Sequence, residues 1–558
     1  MQLVKREPSK VYMDRHLWIP KEDINVDVAK AGLTFTALSQ KKADVHVMWF
    51  ETENHLIVPR EYWRVFSMPD KPIIDCRPTS YKRVVFQHRI KPDPEGGTTQ
   101  TDAYNALWNS DGGTLQLRCG GGKTVIFLYL MAQMQVPTLI VVDNTDLLRN
   151  WHEKIVEHLN IDKKDIGFLM SGKFDWNKKV VLATYHTIAA KEDSFQMTEE
   201  IRRHFGLIGF DEGHHISAPT FSKCAAAFYG KRISLTATPE REDGMHIVSE
   251  YHIGPVLYKN LRHDKKPNFL FIGTGFKLDT KPEVFKATHD INGELHLGKL
   301  SVYFGQWKER LNYIIKLVRS YYAEGRRIIV LSNSVNEILN LCCTWSGKPF
   351  VTDLKEVTAR DLGYLQIPEE MTKIQKLRAE KEKIKLEKEL IKNPNSPKRY
   401  QYEEKLKEIL VKLEKHKIAK SVEAANEKQR TDFIKKTFEG DTEVGAMIAK
   451  IPSAKRGEYL RNKRVVFAIA KYGKEGLDSK ELDTVIACEP FTSRNGLQQF
   501  MGRVLRKPGK EPLVVFLEDD ISMLNKMCRK LRSHLKQWPE DQGGPFTFQE
   551  KGEKASWR

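Results

Sequence analysis

Five short runs rich in β-branched and apolar residues recur between positions 114 and 258: TLQL at 114–117, TLIVV at 138–142, VVLAT at 180–184, LIGF at 207–210 and ISLT at 233–236. The segments between them carry apolar residues at helical spacing, as in TDLLRNWHEKIVEHL at 145–159. Strand, helix, strand at this spacing predicts parallel βαβ units, because parallel neighbours need a crossover long enough to carry the chain back to the same edge. A second series follows after about residue 300, with RIIVLS at 327–332, RVVFAIA at 464–470, DTVIAC at 483–488 and LVVFL at 513–517. The pattern predicts an α/β protein with two tandem parallel-sheet domains, 95–260 and 300–535.

The remainder of the chain has a different texture. Residues 1–94 alternate short apolar runs with proline and charge (HLWIP at 16–20, VHVMWF at 45–50, HLIVPREYW at 55–63), which predicts a small strand-rich accessory module. KPDPEGGTTQ at 91–100 reads as the linker out of it. Inside the second series lies an interruption, 365–435, dominated by Lys, Glu and Leu. Leu377, Ile384 and Ile391 recur every seven residues, NPNSP at 393–397 supplies a break, and Leu406, Ile409 and Leu413 resume a stripe. This predicts an inserted antiparallel helical hairpin whose charges form either a solvated face or a DNA-contacting wedge or partner arm.

Charge narrows the partner. Lys and Arg number 91 against 73 acidic residues, a net charge of +18, which favours a polyanion, nucleic acid before a membrane surface. No stretch approaches the roughly 18 uncharged apolar residues of a membrane span, and the N-terminus lacks the apolar core of a secretory signal, so no membrane partner is expected and the cytoplasm is the expected location. Seven cysteines without a CxxC spacing indicate neither a disulfide framework nor a zinc site; buried thiols are expected.

Two segments carry chemistry. Gly120-Gly121-Gly122-Lys123-Thr124 follows an apolar run and precedes a helical one. A strand, a glycine turn and a helix N-terminus gather consecutive backbone N–H groups around one point, which is a phosphate cradle. Lys123 would reach the β and γ phosphates of ATP, and Thr124 would hold Mg²⁺. A full P-loop pattern wants glycine at 117, where this chain has leucine. The second segment ends a strand in Asp211-Glu212, at the sheet edge where α/β proteins bind ligands. Asp211 would anchor Mg²⁺ and Glu212 would polarise the attacking water.

With these in order the chain resembles the superfamily 2 helicases and translocases, in particular XPB-like and phage UvsW-like enzymes. Residues 234–244 (SLTATPEREDG) resemble the third helicase motif in extended form, and QFMGRVLR at 499–506 fits the sixth. Glu475-Gly476-Leu477-Asp478 resembles the fifth, 328–334 the fourth, and Gln100 lies where such enzymes carry an adenine-reading glutamine. The resemblance implies RecA-like domains of the P-loop NTPase type, ATP and Mg²⁺ as cofactors, and hydrolysis coupled to unwinding or remodelling of DNA. By resemblance Arg503 and Arg506 reach the γ-phosphate, while Thr236, Thr238, Asp478 and Gln499 couple nucleotide state to the track. Forked or branched DNA, in replication, recombination or repair, is the implied substrate.

The second motif reads DEGH where DEAD, DEAH or DECH is usual, and Gly213 lowers helix propensity after the acids. The insertion has no counterpart in the minimal motor. Trp151 at helical spacing reads as core before a contact to the DNA backbone, and His186 and His215 as structural histidines before nucleic-acid contacts or a link between domains. Three other readings stay open: an RNA helicase, the motor subunit of a restriction or defence complex, and a non-motor clamp with a vestigial nucleotide site.

Overall fold

The computed structural model describes residues 6–39, 42–65, 71–86, 98–118, 120–170, 173–194, 196–240, 244–261, 267–351, 358–362, 371, 373–392, 399–438, 443–448, 458–460, 462–470, 482–490, 497, 511–540 and 544–551. The glycine turn opens an eight-stranded sheet whose spatial order is Lys173–Phe174, Ile166–Met170, Val180–Thr184, Thr138–Val142, Leu207–Asp211, Lys231–Thr236, Gly112–Leu117 and Val256–Asn260. All neighbours are parallel except the short outer hairpin 166–174. The chain leaves Gly112–Leu117 and re-enters the sheet at Thr138–Val142, on the far side of Lys231–Thr236 and Leu207–Asp211. Such a switch opens a crevice at the carboxyl ends of the strands, where ligands settle in open α/β sheets. Continuous apolar runs fit because both faces are covered: Val180–Thr184 and Thr138–Val142 are buried along their whole length.

Asn144 caps the helix Thr145–Leu159, its side chain accepting from the backbone N–H of Asp146 and Leu147. A cap of this kind contributes about 1 kcal/mol. Gly209 decides the packing above it. A Cβ there would lie 2.4 Å from Phe127 Cζ, so the glycine lets the helix Lys123–Met134 settle onto the acidic strand.

The second sheet has seven parallel strands in the order Val444–Met447, Val465–Ile469, Ile328–Ser332, Thr484–Ala487, Leu513–Glu518, Asn268–Gly273 and Phe548–Lys551. Two tandem, largely parallel sheets with helices between their strands make the architecture α/β, as expected. The second sheet overruns the expected 300–535 at both ends. Asn268–Gly273 pairs with Leu513–Glu518 because its FLFI run needs burial on both faces, and Phe548–Lys551 pairs on its outer side. Five of the six free cysteines among the described residues are buried.

The N-terminal module is a five-stranded sheet, Phe50–Glu51, His55–Pro59, His16–Pro20, Val11–Met13 and Ile73–Asp75, with a separate hairpin of Thr34–Ser39 and Lys42–Val47. The run at 55–63 is a strand only to Pro59; Arg60–Arg64 turns helical and sends Arg60 into the first α/β domain. Buried Arg60 donates to the carbonyls of Tyr229 (2.9 Å) and Gly230 (3.2 Å), and buried Arg232 donates back to the Arg15 carbonyl at 2.9 Å. Met245, Val248 and Tyr251, from the segment just after the third motif, complete the module's apolar core.

The insertion folds as the helices Lys373–Lys392 and Arg399–Phe438, packed on each other; the break at 393–397 lies outside the described residues. The seven-residue repeat is not the seam. Leu377, Ile384 and Ile391 are 49%, 50% and 80% exposed, whereas Leu386 and Ile409 are buried. Among the described residues no helix is long and apolar enough to cross a membrane.

Candidate active site

The glycine turn holds its shape through conformations that only glycine adopts freely. Gly120 and Gly122 have φ of 79° and 88°. Gly122 precedes the helix Lys123–Met134, so Lys123 and Thr124 occupy its first turn, where unpaired N–H groups and the helix dipole favour an anion. The Lys123 ammonium donates to the Leu117 carbonyl at 3.0 Å, folding back over its own loop. Gln100, on the helix Thr98–Trp108, lies over the turn: a Cβ on Gly122 would meet its amide nitrogen at 2.6 Å. The expected adenine-reading side chain therefore borders the expected phosphate cradle.

Asp211 ends its strand within electrostatic reach of the Lys123 ammonium. Burial, and after it the neighbouring Glu212 carboxylate, push the Asp211 carboxyl up to about 6, while the Trp151 indole and the Lys123 ammonium pull it down. Glu212 has φ of 48°, in the left-handed region, which turns its carboxylate out of the strand direction. Its Oε2 is buried without a hydrogen bond and lies 3.5 Å from His214 Nδ1. His214 Nδ1 also lies 3.2 Å from Thr236 Oγ1, and Thr236 Oγ1 accepts from the Thr238 N–H at 3.1 Å. The second and third motifs thus form one connected polar array, with Thr236 and Thr238 buried inside it.

The donor set fits a nucleotide with a hard cation. The turn offers N–H groups and an ammonium to phosphates, while a hydroxyl at Thr124 and a carboxylate at Asp211 are the oxygen ligands magnesium takes alongside phosphate. The unbonded Glu212 Oε2 leaves an acceptor for a water proton.

Gly213 has a positive reason to be glycine. A Cβ there would lie 2.1 Å from Ser234 Oγ and 2.9 Å from Ser234 Cβ, on the next strand of the sheet. The departure from DEAH is thus a packing match to Ser234, rather than only a loss of helix propensity.

Several contributors escaped the sequence reading. Gln116, buried on the strand that enters the glycine turn, donates to the Ala237 carbonyl and to Glu240, each at 3.4 Å, tying that strand to the third motif. Tyr185 donates its hydroxyl to the Asp211 carbonyl at 2.9 Å. Trp151 is core, as expected, but its indole N–H also donates to Asp211 Oδ2 at 2.7 Å. Their alternation and helical spacing look like ordinary core, and only tertiary packing aims their polar ends at the site. His215 lies 3.9 Å from Asp143 and against Tyr185, while exposed His186 meets Phe221 edge-on. Asp478, Gln499, Arg503 and Arg506 lie outside the described residues.

Residues 95–241 match the family model described as type III restriction enzyme, res subunit. The chain is 35% identical over 171 residues to a DNA 3'-5' translocase XPB2 of Sulfurisphaera tokodaii, covering 30% of this chain and 37% of that protein. It is 34% identical over 161 residues to a DNA 3'-5' helicase XPB of Kineococcus radiotolerans, covering 28% and 29%. It is 24% identical over 299 residues to a putative ATP-dependent RNA helicase of Acanthamoeba polyphaga mimivirus, covering 52% and 55%. The chain therefore spans less than two thirds of the length of each of these relatives. Residues 95–241 are thus similar to the type III restriction res subunit, and the chain is similar over part of its length to proteins named XPB DNA 3'-5' helicases and translocases.

Proposed function

We propose that this chain is an ATP-dependent DNA helicase or translocase that unwinds or remodels forked or branched DNA. The observation that carries the reading is the convergence of Lys123, Asp211, Glu212, His214 and Thr236 at one edge of one parallel sheet, with Gln100 beside the glycine turn. Relatives named as DNA 3'-5' helicases and translocases, together with a net charge of +18, favour DNA as the track.

In this reading Gly120, Gly121 and Gly122 present backbone N–H groups to the phosphates, and Lys123 exchanges the Leu117 carbonyl for phosphate oxygens. Thr124 and Asp211 would hold magnesium, which would supply positive charge to offset that of the transferred phosphate. Glu212 accepts a proton from the attacking water, with His214 beside it to orient the carboxylate. Thr236 and Thr238 pass the state of that site to the DNA track. Arg503 and Arg506 supply positive charge from the second α/β domain, with Gln499 and Asp478 as further coupling residues. The N-terminal module binds the DNA substrate beside the motor. The type III restriction match also favours a second reading, the motor subunit of a restriction complex with its nuclease elsewhere.

Binding and hydrolysis separate the roles. Lys123→Ala should abolish ATP binding, whereas Glu212→Gln should retain it and lose about 10²-fold to 10⁴-fold in hydrolysis. Hydrolysis at the parental rate by Glu212→Gln would remove Glu212 from the role of base.

A further inference from the structure

Asp211 is held from three sides. Its Oδ2 accepts the Trp151 indole N–H at 2.7 Å, its Oδ1 accepts the Glu212 backbone N–H at 3.1 Å, and its carbonyl accepts the Tyr185 hydroxyl at 2.9 Å. A carboxylate offers about four lone-pair sites, so two remain for a cation and its waters. Which two is decided by the donors to the carboxylate, and only one of those comes from a side chain. The Glu212 N–H belongs to the next residue and follows the strand; the indole is carried by a different element, the helix Thr145–Leu159.

That indole is itself fixed. Trp151 is 3% exposed and meets Phe127 edge-on, with centroids 6.0 Å apart at 89°. Phe127 belongs to the helix that Lys123 and Thr124 begin, and its ring lies over Gly209, two residues before Asp211. The tryptophan is therefore keyed between the phosphate-cradle helix and the acidic strand. Its N–H has little freedom to point elsewhere, and packing alone would be served as well by an aromatic side chain without a donor.

We propose that Trp151 is a positioning residue for magnesium: its N–H fixes the Asp211 carboxylate so that the free lone pairs face the cation beside Thr124. The inference rests on the reading of Asp211 as the magnesium anchor. Trp151 itself touches neither nucleotide nor metal. Its loss leaves Lys123 and the glycine turn intact, and acts on the cation requirement rather than on nucleotide binding as such.

The test uses the full chain and the anisotropy of a fluorescent ATP analogue titrated with Mg²⁺, so that the readout is binding and not turnover. Trp151→Phe keeps an aromatic ring and removes the donor. It should raise the Mg²⁺ concentration for half-maximal binding by roughly 10-fold or more, the usual scale for losing a partner that orients a metal ligand. Affinity measured in EDTA should stay at the parental value. Asp211→Asn should shift the Mg²⁺ requirement further. If Trp151→Phe destabilises the chain, benzothienylalanine at position 151, which replaces the N–H by sulfur at nearly the same shape, should reproduce the shift at the parental melting temperature. An unchanged Mg²⁺ requirement in the donor-free variants, with Asp211→Asn still shifted, overturns the role of Trp151 alone. No shift in Asp211→Asn either would overturn the assignment of Asp211, and the proposal with it.

Discussion

Gly213→Ala tests the packing behind the DEGH motif. The new methyl would sit 2.1 Å from Ser234 Oγ and 2.9 Å from Ser234 Cβ, both under any normal contact, and Ser234 lies on a central strand and is 1% exposed. Neither side has room to yield without moving backbone, and overpacking of this kind costs about 1–3 kcal/mol. The partner can be trimmed in steps. Ser234→Ala removes the 2.1 Å contact and leaves the 2.9 Å one, while Ser234→Gly removes both and leaves Ser234 Cα at 3.4 Å, an ordinary separation. Ser234 Oγ is buried without a hydrogen bond, so Ser234→Ala alone should cost little. Urea unfolding of the single and double variants should show Gly213→Ala as the least stable, Gly213→Ala with Ser234→Ala partly restored, and Gly213→Ala with Ser234→Gly relieved of the clash. The coupling should be about 1 kcal/mol or more. ATP hydrolysis should follow the same order, because Gly213 adjoins Glu212. Parental stability in Gly213→Ala, or strictly additive costs, would falsify the contact.

The second α/β domain buries Arg310 with three carboxylates, Glu337, Asp519 and Glu489; Arg310 bonds Glu337 and Asp519, and burial, then the Glu337 charge, push Glu489 up to about 8. A folded pKa above the unfolded one means that the native state holds a proton the unfolded chain has released. Stability then falls as pH rises from about 4.5 to 8 and levels off above that, each tenfold difference in proton affinity between the two states being worth about 1.4 kcal/mol. Glu489→Gln should flatten this fall and stabilise the chain more at pH 8 than at pH 5, as read by thermal unfolding. Shortening the hairpin between Leu377 and Val411 should leave basal ATPase near the parental rate, because buried Ile418 and Ala419, and Phe433 packed on the domain core, stay in place. Unwinding of forked DNA should fall if the hairpin is a wedge, and loss of basal ATPase in a folded variant would place it in the motor. Affinity for forked DNA should drop by orders of magnitude between about 50 and 200 mM salt if roughly six or more phosphates are contacted, and a flat response would remove the phosphate track.

The strands are legible in the sequence where both faces are buried. TLIVV, VVLAT and LVVFL are runs of apolar and β-branched residues without a charged side chain, and each forms a strand within a residue of its expected bounds. Ile166–Met170 and Val444–Met447 escape because short segments interrupted by glycine carry little periodic signal. The hairpin seam misleads for a geometric reason. A seven-residue repeat marks one face of a helix without saying whether that face meets a partner: Leu377, Ile384 and Ile391 are exposed while Leu386 of the same helix is buried, and on the second helix Ile409, a member of the expected stripe, is buried. At the site, local spacing is enough to single out Lys123, Thr124, Asp211 and Glu212. What it cannot carry is the tertiary part: the Trp151 bond to Asp211 joins positions 60 residues apart, and Gln116 reaches the third motif across 121. Gly213 reads locally as a propensity defect, although its cause sits on a neighbouring strand.

The central claim is that ATP hydrolysis at Lys123, Asp211 and Glu212 is driven by a DNA track. Steady-state ATPase of the full chain, measured without nucleic acid and with single-stranded DNA, duplex DNA, forked DNA and RNA at one fixed salt concentration, tests it most directly. The account predicts magnesium-dependent hydrolysis that is stimulated by DNA, most by the fork, and abolished in Glu212→Gln. Stimulation by RNA alone, or hydrolysis that ignores every nucleic acid, would contradict it.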